Sequence, residues 1–121
     1  MESFAFANKT QEYDEAQTLN VKTLGAGATV YWNLQTQQNA EVTLTQSVTF
    51  AAPLGWKKGR LAMVEVIQGG SGSYTIAWNT AFKNVASLTL ATGVGSSNIL
   101  VFKCIDNGAV ALLSNNSSTR A

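Results

Sequence analysis

The sequence predicts an all-β fold: an antiparallel β-sandwich or barrel of about eight short strands, preceded by an extended N-terminal arm. From Leu19 onward, β-branched and aromatic residues alternate with polar ones, which is the two-residue period of a strand. Glycine-rich segments separate these runs and would supply the turns. Helical periodicity is not evident. A chain of 121 residues has the length of one domain, so one fold should carry the function.

The clearest strand lies in residues 41–50. Val42, Leu44, Val48 and Phe50 share one parity there, and threonine or serine occupies most positions of the other parity. This alternation predicts one buried face and one face lined by hydroxyl groups. The only proline of the chain follows shortly afterwards and would end the strand.

A first hairpin is predicted in the middle of the chain. The apolar run 61–67 would form a strand buried on both faces or nearly so. The glycine-rich segment 69–72 would then turn the chain into a return strand over residues 74–78.

A second hairpin is predicted near the C-terminus. The sequence Asp-Asn-Gly at 106–108 is typical of a tight hairpin turn, here between the runs 99–105 and 109–113. Shorter extended runs are expected at residues 29–34 and 88–90.

The two ends of the chain differ from its middle. We divide the sequence into an arm (1–18), a β-domain (19–114) and a flexible polar tail (115–121). The arm holds four of the seven acidic residues of the chain, interspersed with aromatic residues. It would fit at most a short helix over residues 10–16, which is too short to be stable alone.

The aromatic residues of the arm are candidate partner-binding residues. They are Phe4, Phe6 and Tyr13. An arm with aromatic side chains and little else to bury them usually orders against a partner. Two interpretations of Phe4 and Phe6 stay open: they close the core of the β-domain, or they fill a groove on a neighbouring subunit.

Composition and charge limit the classes of binding partner that the sequence predicts. Only 12% of the residues are charged and 45% are hydrophobic, which suits a surface that packs against other protein. A formal net charge of +1 gives no field that steers toward nucleic acid or an anionic membrane, so we predict neither partner. The apolar runs stay far below the roughly 20 residues that cross a bilayer. The first residues do not resemble a secretory signal, which predicts synthesis in a cytoplasm.

The residue types argue against catalysis. The chain has no histidine, which excludes histidine-based acid–base, nucleophilic and metal chemistry. Beyond the arm the only acids are Glu41, Glu65 and Asp106, which fall in different predicted strands or turns. We interpret Glu65 as solvated or facing a subunit, and Asp106 as a turn residue. We therefore predict a protein that is not an enzyme and has no catalytic, metal-binding or cofactor-binding residue.

The cysteine and two tryptophans are assigned mainly to the core. Cys104 is the only cysteine, so it cannot close an intramolecular disulfide, and its apolar neighbours favour a buried thiol. Trp32 and Trp78 lie in predicted strands and are expected in the core, with a sugar-binding surface as the alternative.

One cluster combines basic and aromatic residues. Such a pattern can bind nucleic acid by stacking and charge, but three charges on a nearly neutral chain favour a solvated or protein-contacting loop. Its members are candidate partner-binding residues: Trp56, Lys57, Lys58 and Arg60.

Residues 41–113 carry an ordered set of motifs. The set comprises the threonine-alternating strand 42–50, Ala52-Pro53, Lys58-Gly59, a valine-rich strand ending in Gln68, the segment 70–78 (GSGSYTIAW), Ala81-Phe82-Lys83, and Ile99-Leu100-Val101-Phe102 before the Asp-Asn-Gly turn. In this order the motifs resemble a β-module of virion proteins from tailed bacteriophages, particularly tail-fibre and other appendage proteins.

The resemblance implies a virion structural or accessory protein, made in the host cytoplasm. Because the module stands almost alone behind a short arm, it is most similar to a capsid decoration protein or a small head or tail appendage. The resemblance also implies a homo-oligomer, with a trimer favoured, and contacts with capsid or tail subunits. The alternative is a tail-fibre-type receptor-binding module that recognises a host cell-surface glycan.

Overall fold

The computed structural model describes residues 21–25 and 27–118, and in that part of the chain the regular elements are all strands. They are β1 (Lys22–Thr23), β2 (Thr29–Val30), β3 (Asn39–Leu44), β4 (Val48–Phe50), β5 (Leu61–Gln68), β6 (Ile76–Trp78), β7 (Phe82–Lys83), β8 (Ser97–Cys104) and β9 (Val110–Ser118). The predicted all-β class is confirmed. The structure does not describe the arm, so its predicted helix and its candidate residues lie outside the described residues.

The strands form two sheets. One has six strands in the order β1-β3-β5-β8-β9-β7, and the other has three in the order β2-β4-β6. From β1 to β6 the chain alternates between the sheets, so that Lys22 lies beside Ala40 and Ala40 lies beside Val64. Thr29 lies beside Thr49 in the same way in the smaller sheet. Successive passes of the chain therefore stack in parallel, in a solenoid-like arrangement.

The antiparallel part of the prediction is wrong for most of the strand pairs. Five of the seven strand pairings among the described residues are parallel. The reason is visible in the predicted strand 41–50, which is split between β3 and β4. After Leu44 the chain turns a corner and enters the other sheet as β4, while Val48 and Phe50 keep the inward parity. Alternation determines which side chains face the core, but it does not determine the direction of the neighbouring strand.

The predicted hairpin of residues 61–67 with 74–78 is also wrong. β5 pairs with β3 and β8, and β6 pairs with β4. The glycine-rich segment is another corner, where the Gly69 amide donates to the Leu44 carbonyl of the preceding pass at 2.9 Å. β5 is not buried on both faces, because its burial alternates: Leu61 and Met63 are exposed, and Val64 is buried.

The C-terminal hairpin is confirmed. β8 and β9 are antiparallel, and the Ala109 amide donates to the Asp106 carbonyl at 2.8 Å across the turn. Asn107 has φ 50° and Gly108 has φ 80°, the left-handed values that a type I′ turn requires. β9 continues through Ser118, beyond the domain boundary predicted at residue 114.

Gly108→Ala is expected to destabilise the protein by about 1 to 2 kcal/mol, because an L side chain is strained in the left-handed region. The space around Gly108 is open, so the cost comes from the backbone and not from a clash. Urea denaturation measures the change. Gly25→Ala is the matched control, since that glycine is equally open and is not among the glycines with positive φ; an equal loss there would contradict the explanation.

The core lies between the two sheets and is rich in aromatic rings. The Phe50 and Trp78 ring centroids lie 4.8 Å apart, and those of Phe82 and Phe102 lie 5.5 Å apart. Trp32 is fully buried and Trp78 is partly buried against the same cluster. The prediction that Cys104 is a buried thiol is confirmed.

Two of the predicted extended runs are shorter or absent. The run at 29–34 contributes only β2 and an isolated parallel bridge between Asn33 and Leu54. Residues 88–90 form no strand, although Leu88 and Leu90 pack against the core.

Candidate interaction surface

The outward side of the six-stranded sheet carries partly exposed apolar side chains. Leu61, Met63, Ile99 and Leu113 expose 52%, 37%, 37% and 56% of their surface, and Val101 is partly buried. We call these five residues the outer apolar face. They lie on β5, β8 and β9, neighbouring strands of the sheet. On β5 and β8 this exposure follows from the alternation of the strands, which sends the intervening side chains into the core, whereas Leu113 lies at the β-bulge where the register of β8 and β9 shifts.

A groove of about 410 Å³ lies at one end of the outer apolar face. Leu61, Met63 and Val101 contribute its apolar part, and Lys22 and Gln38 belong to its polar part. Gln38 is tied to β5 twice: its Nε2 donates to the Leu61 carbonyl at 2.9 Å, and its own carbonyl accepts from the Met63 amide at 2.7 Å. Backbone and side-chain bonds therefore hold the groove together.

The basic loop at residues 56–60 is bound to the rest of the fold. The Trp56 indole donates to the Ala109 carbonyl at 2.8 Å, and its ring packs partly buried against the core. The Arg60 guanidinium donates to the Gly55 carbonyl at 2.5 Å. Lys57 and Lys58 are exposed. Two of the four predicted contact residues in this loop thus have structural partners, and of the four only the two lysines are exposed.

A second groove, of about 240 Å³, lies between β6 and residues 88–92. Tyr74, Ile76 and Trp78 contribute to its lining, together with several serine and threonine residues. The Tyr74 hydroxyl oxygen lies 3.3 Å from the backbone nitrogen and 3.3 Å from the hydroxyl of Ser71. Hydrogen bonds from the Ser71 hydroxyl and backbone amide stabilise the phenolate, which lowers the pKa of Tyr74 below its usual value.

No protein-family model, curated protein or solved structure matches the chain. The outer apolar face and the two grooves are therefore interpreted from their own geometry, and the resemblance of residues 41–113 to a phage module stays a prediction.

Two further observations concern residues 21–25 and 27–118. Within these ranges, no three or more histidine, cysteine, aspartate or glutamate side chains are grouped to hold a metal ion. No helix in the same ranges is long and apolar enough to span a membrane.

Proposed function

We propose that the protein is a structural protein that acts by assembly through its outer apolar face. The observation that carries this proposal is the exposure of Leu61, Met63, Ile99 and Leu113 on strands of one sheet. Burying apolar surface contributes about 25 cal/mol per Å², so association with a partner that covers the face is favoured. A contiguous exposed apolar patch rimmed by polar residues is typical of a protein-binding surface.

The partner that we propose is first of all another copy of the chain, in a trimer, and then capsid or tail subunits of a phage particle. The resemblance of residues 41–113 to virion modules supports this location. It corresponds to a capsid decoration protein or a head or tail appendage component.

In finer detail, we propose that the scaffold is a short β-solenoid closed by the β8–β9 hairpin, supported by the parallel register of β1, β3 and β5.

Met63→Glu tests the assembly role of the outer apolar face. A carboxylate in a covered apolar surface loses its hydration, so we expect association to weaken at least about tenfold and the average mass to fall toward that of the 12.8 kDa chain. Size-exclusion chromatography with light scattering measures the mass. Thr49→Glu is the matched control, because Thr49 is exposed on β4 of the smaller sheet. An unchanged mass for Met63→Glu would contradict the proposal.

The virion location has its own test. Gradient-purified particles of the virus whose genome encodes the chain are expected to contain it at a fixed copy number, measured by quantitative mass spectrometry. Failure to find it in infectious particles, with the protein present in the infected cell, would contradict the location and leave the assembly surface unaffected.

The second groove favours one other candidate function, glycan binding. Aromatic rings beside hydroxyl groups are a suitable lining for a sugar, since a ring face can stack on apolar sugar faces. Trp78 also packs on Phe50, so replacing it would disturb the core. Tyr74→Ala is the better probe: binding on a glycan array that disappears in this variant, with an unchanged circular dichroism spectrum, would support glycan recognition. An array without signal for the parent chain would contradict it.

A further inference from the structure

We propose that the groove of the outer apolar face binds the N-terminal segment, residues 1–18, of a second copy of the chain. Phe4 and Phe6 are the anchors of this segment. The inference rests on the proposed function, because it names what occupies part of the same assembly surface.

Charge complementarity is the first argument. Residues 1–18 contain one lysine and four acidic residues, a formal charge of −3. The remaining residues contain seven basic and three acidic residues, a formal charge of +4. Lys22 lines the groove, and the exposed Lys103 lies beside Leu61 in the register of β5 and β8. Glu65, the next residue of the same parity on β5, lies opposite Ile99, so an acidic segment meets these basic side chains at the Leu61 end of the groove, away from Glu65.

The spacing of the apolar residues is the second argument. Phe4 and Phe6 are two residues apart, so an extended segment presents both rings on one side, about 7 Å from each other. Leu61 and Met63 have the same spacing and both face outward from β5. A segment lying along β5 would place one ring against each of these side chains. The groove volume of about 410 Å³ provides the space.

The extent of the apolar face is the argument for a second copy. The face continues from the groove to Ile99 on β8 and Leu113 on β9. Neighbouring strands lie about 4.8 Å apart, so Leu113 is about 10 Å from β5 and beyond the reach of two rings seated in the groove. The body of a second copy can cover this remainder while its N-terminal segment occupies the groove.

Photo-cross-linking of the full chain tests the occupant. A benzoylphenylalanine replaces Phe6, and copies with and without ¹⁵N labelling are mixed before irradiation, so that mass spectrometry separates links between copies from links within one copy. We expect links between copies that map to residues 61–63 or to Val101. The control places the same probe at Tyr31, which is exposed beside β2, and is expected to give no link to the groove.

The outcomes separate this inference from the proposed function. Links within one copy, or links between copies outside the groove, would overturn the inference while association remains. A chain that is monomeric and gives no link between copies would overturn both. In addition, the double variant Phe4→Ser with Phe6→Ser is expected to weaken association at least about tenfold. An unchanged mass distribution for this variant, with the parent chain associated, would overturn the inference alone.

Discussion

Phe50→Ala is expected to destabilise the fold by about 3 to 5 kcal/mol, the usual cost of removing a buried phenylalanine ring. Phe50 is fully buried, and its ring centroid lies 4.8 Å from that of Trp78, 6.1 Å from that of Phe82 and 6.4 Å from that of Trp32. The substitution removes apolar contacts and leaves a cavity among these rings, which belong to different parts of the fold. Urea denaturation followed by tryptophan fluorescence measures the loss.

Thr49→Ala is the control for this prediction, since Thr49 is the exposed neighbour of Phe50 on β4. Its effect should stay within about 0.5 kcal/mol. If Phe50→Ala cost no more than the control, the aromatic cluster would not be the core of the protein, and the arrangement of the two sheets around it would be contradicted.

Gln68→Leu is expected to lower the free energy of unfolding by about 2 to 4 kcal/mol. The Gln68 side chain is buried, with its Nε2 donating to the Tyr74 carbonyl at 2.9 Å and its Oε1 accepting from the Tyr74 amide at 3.1 Å. The side-chain amide of Gln68 thus makes the two hydrogen bonds with the backbone of Tyr74 that a neighbouring strand would make in a sheet. Leucine has a similar size but offers neither bond, and each polar group left without a partner costs about 1 to 3 kcal/mol.

Hydrogen exchange checks the mechanism as well as the size of the effect. In Gln68→Leu, the exchange rate of the Tyr74 backbone amide should increase by more than the drop in global stability explains, because the amide has lost its local hydrogen bond. Gln46→Leu is the control, because Gln46 is exposed at the preceding corner. Unchanged protection of the Tyr74 amide relative to the global stability would contradict the role given to Gln68.

The sequence predicted which side chains of a strand face the core better than it predicted which strands pair with each other. Val42, Leu44, Val48 and Phe50 face the core as their alternation indicates, because burial of apolar side chains is decided locally by the two-residue period. Their assignment to two different sheets depends on contacts with passes of the chain about 20 residues away, such as the pairing of Thr49 with Thr29. Such pairings leave no local signal.

Turn chemistry explains why one hairpin was predicted correctly and the other was not. Asn107-Gly108 suits the two left-handed positions of a tight hairpin, and few other structures require that pair. The glycines at 69–72 permit many turns. Their corner is specified by the distant Leu44 carbonyl and by the Gln68 side chain, neither of which is visible as a motif.

The outer apolar face was missed for a related reason. The run from Leu61 to Val64 is apolar at both parities, a pattern that predicts a strand buried on both faces or nearly so. In the structure one parity faces the core and the other is exposed, in the part of the chain that is described. Apolar residues at four successive positions of β5 therefore indicate two apolar faces, and only the structure shows which of the two remains open.

Sedimentation equilibrium of the full chain in solution is the most direct test of assembly through the outer apolar face. The account predicts a mass that is a multiple of 12.8 kDa, close to three copies, and that falls toward one copy on dilution or in Met63→Glu. A single species of 12.8 kDa across the whole concentration range would contradict it.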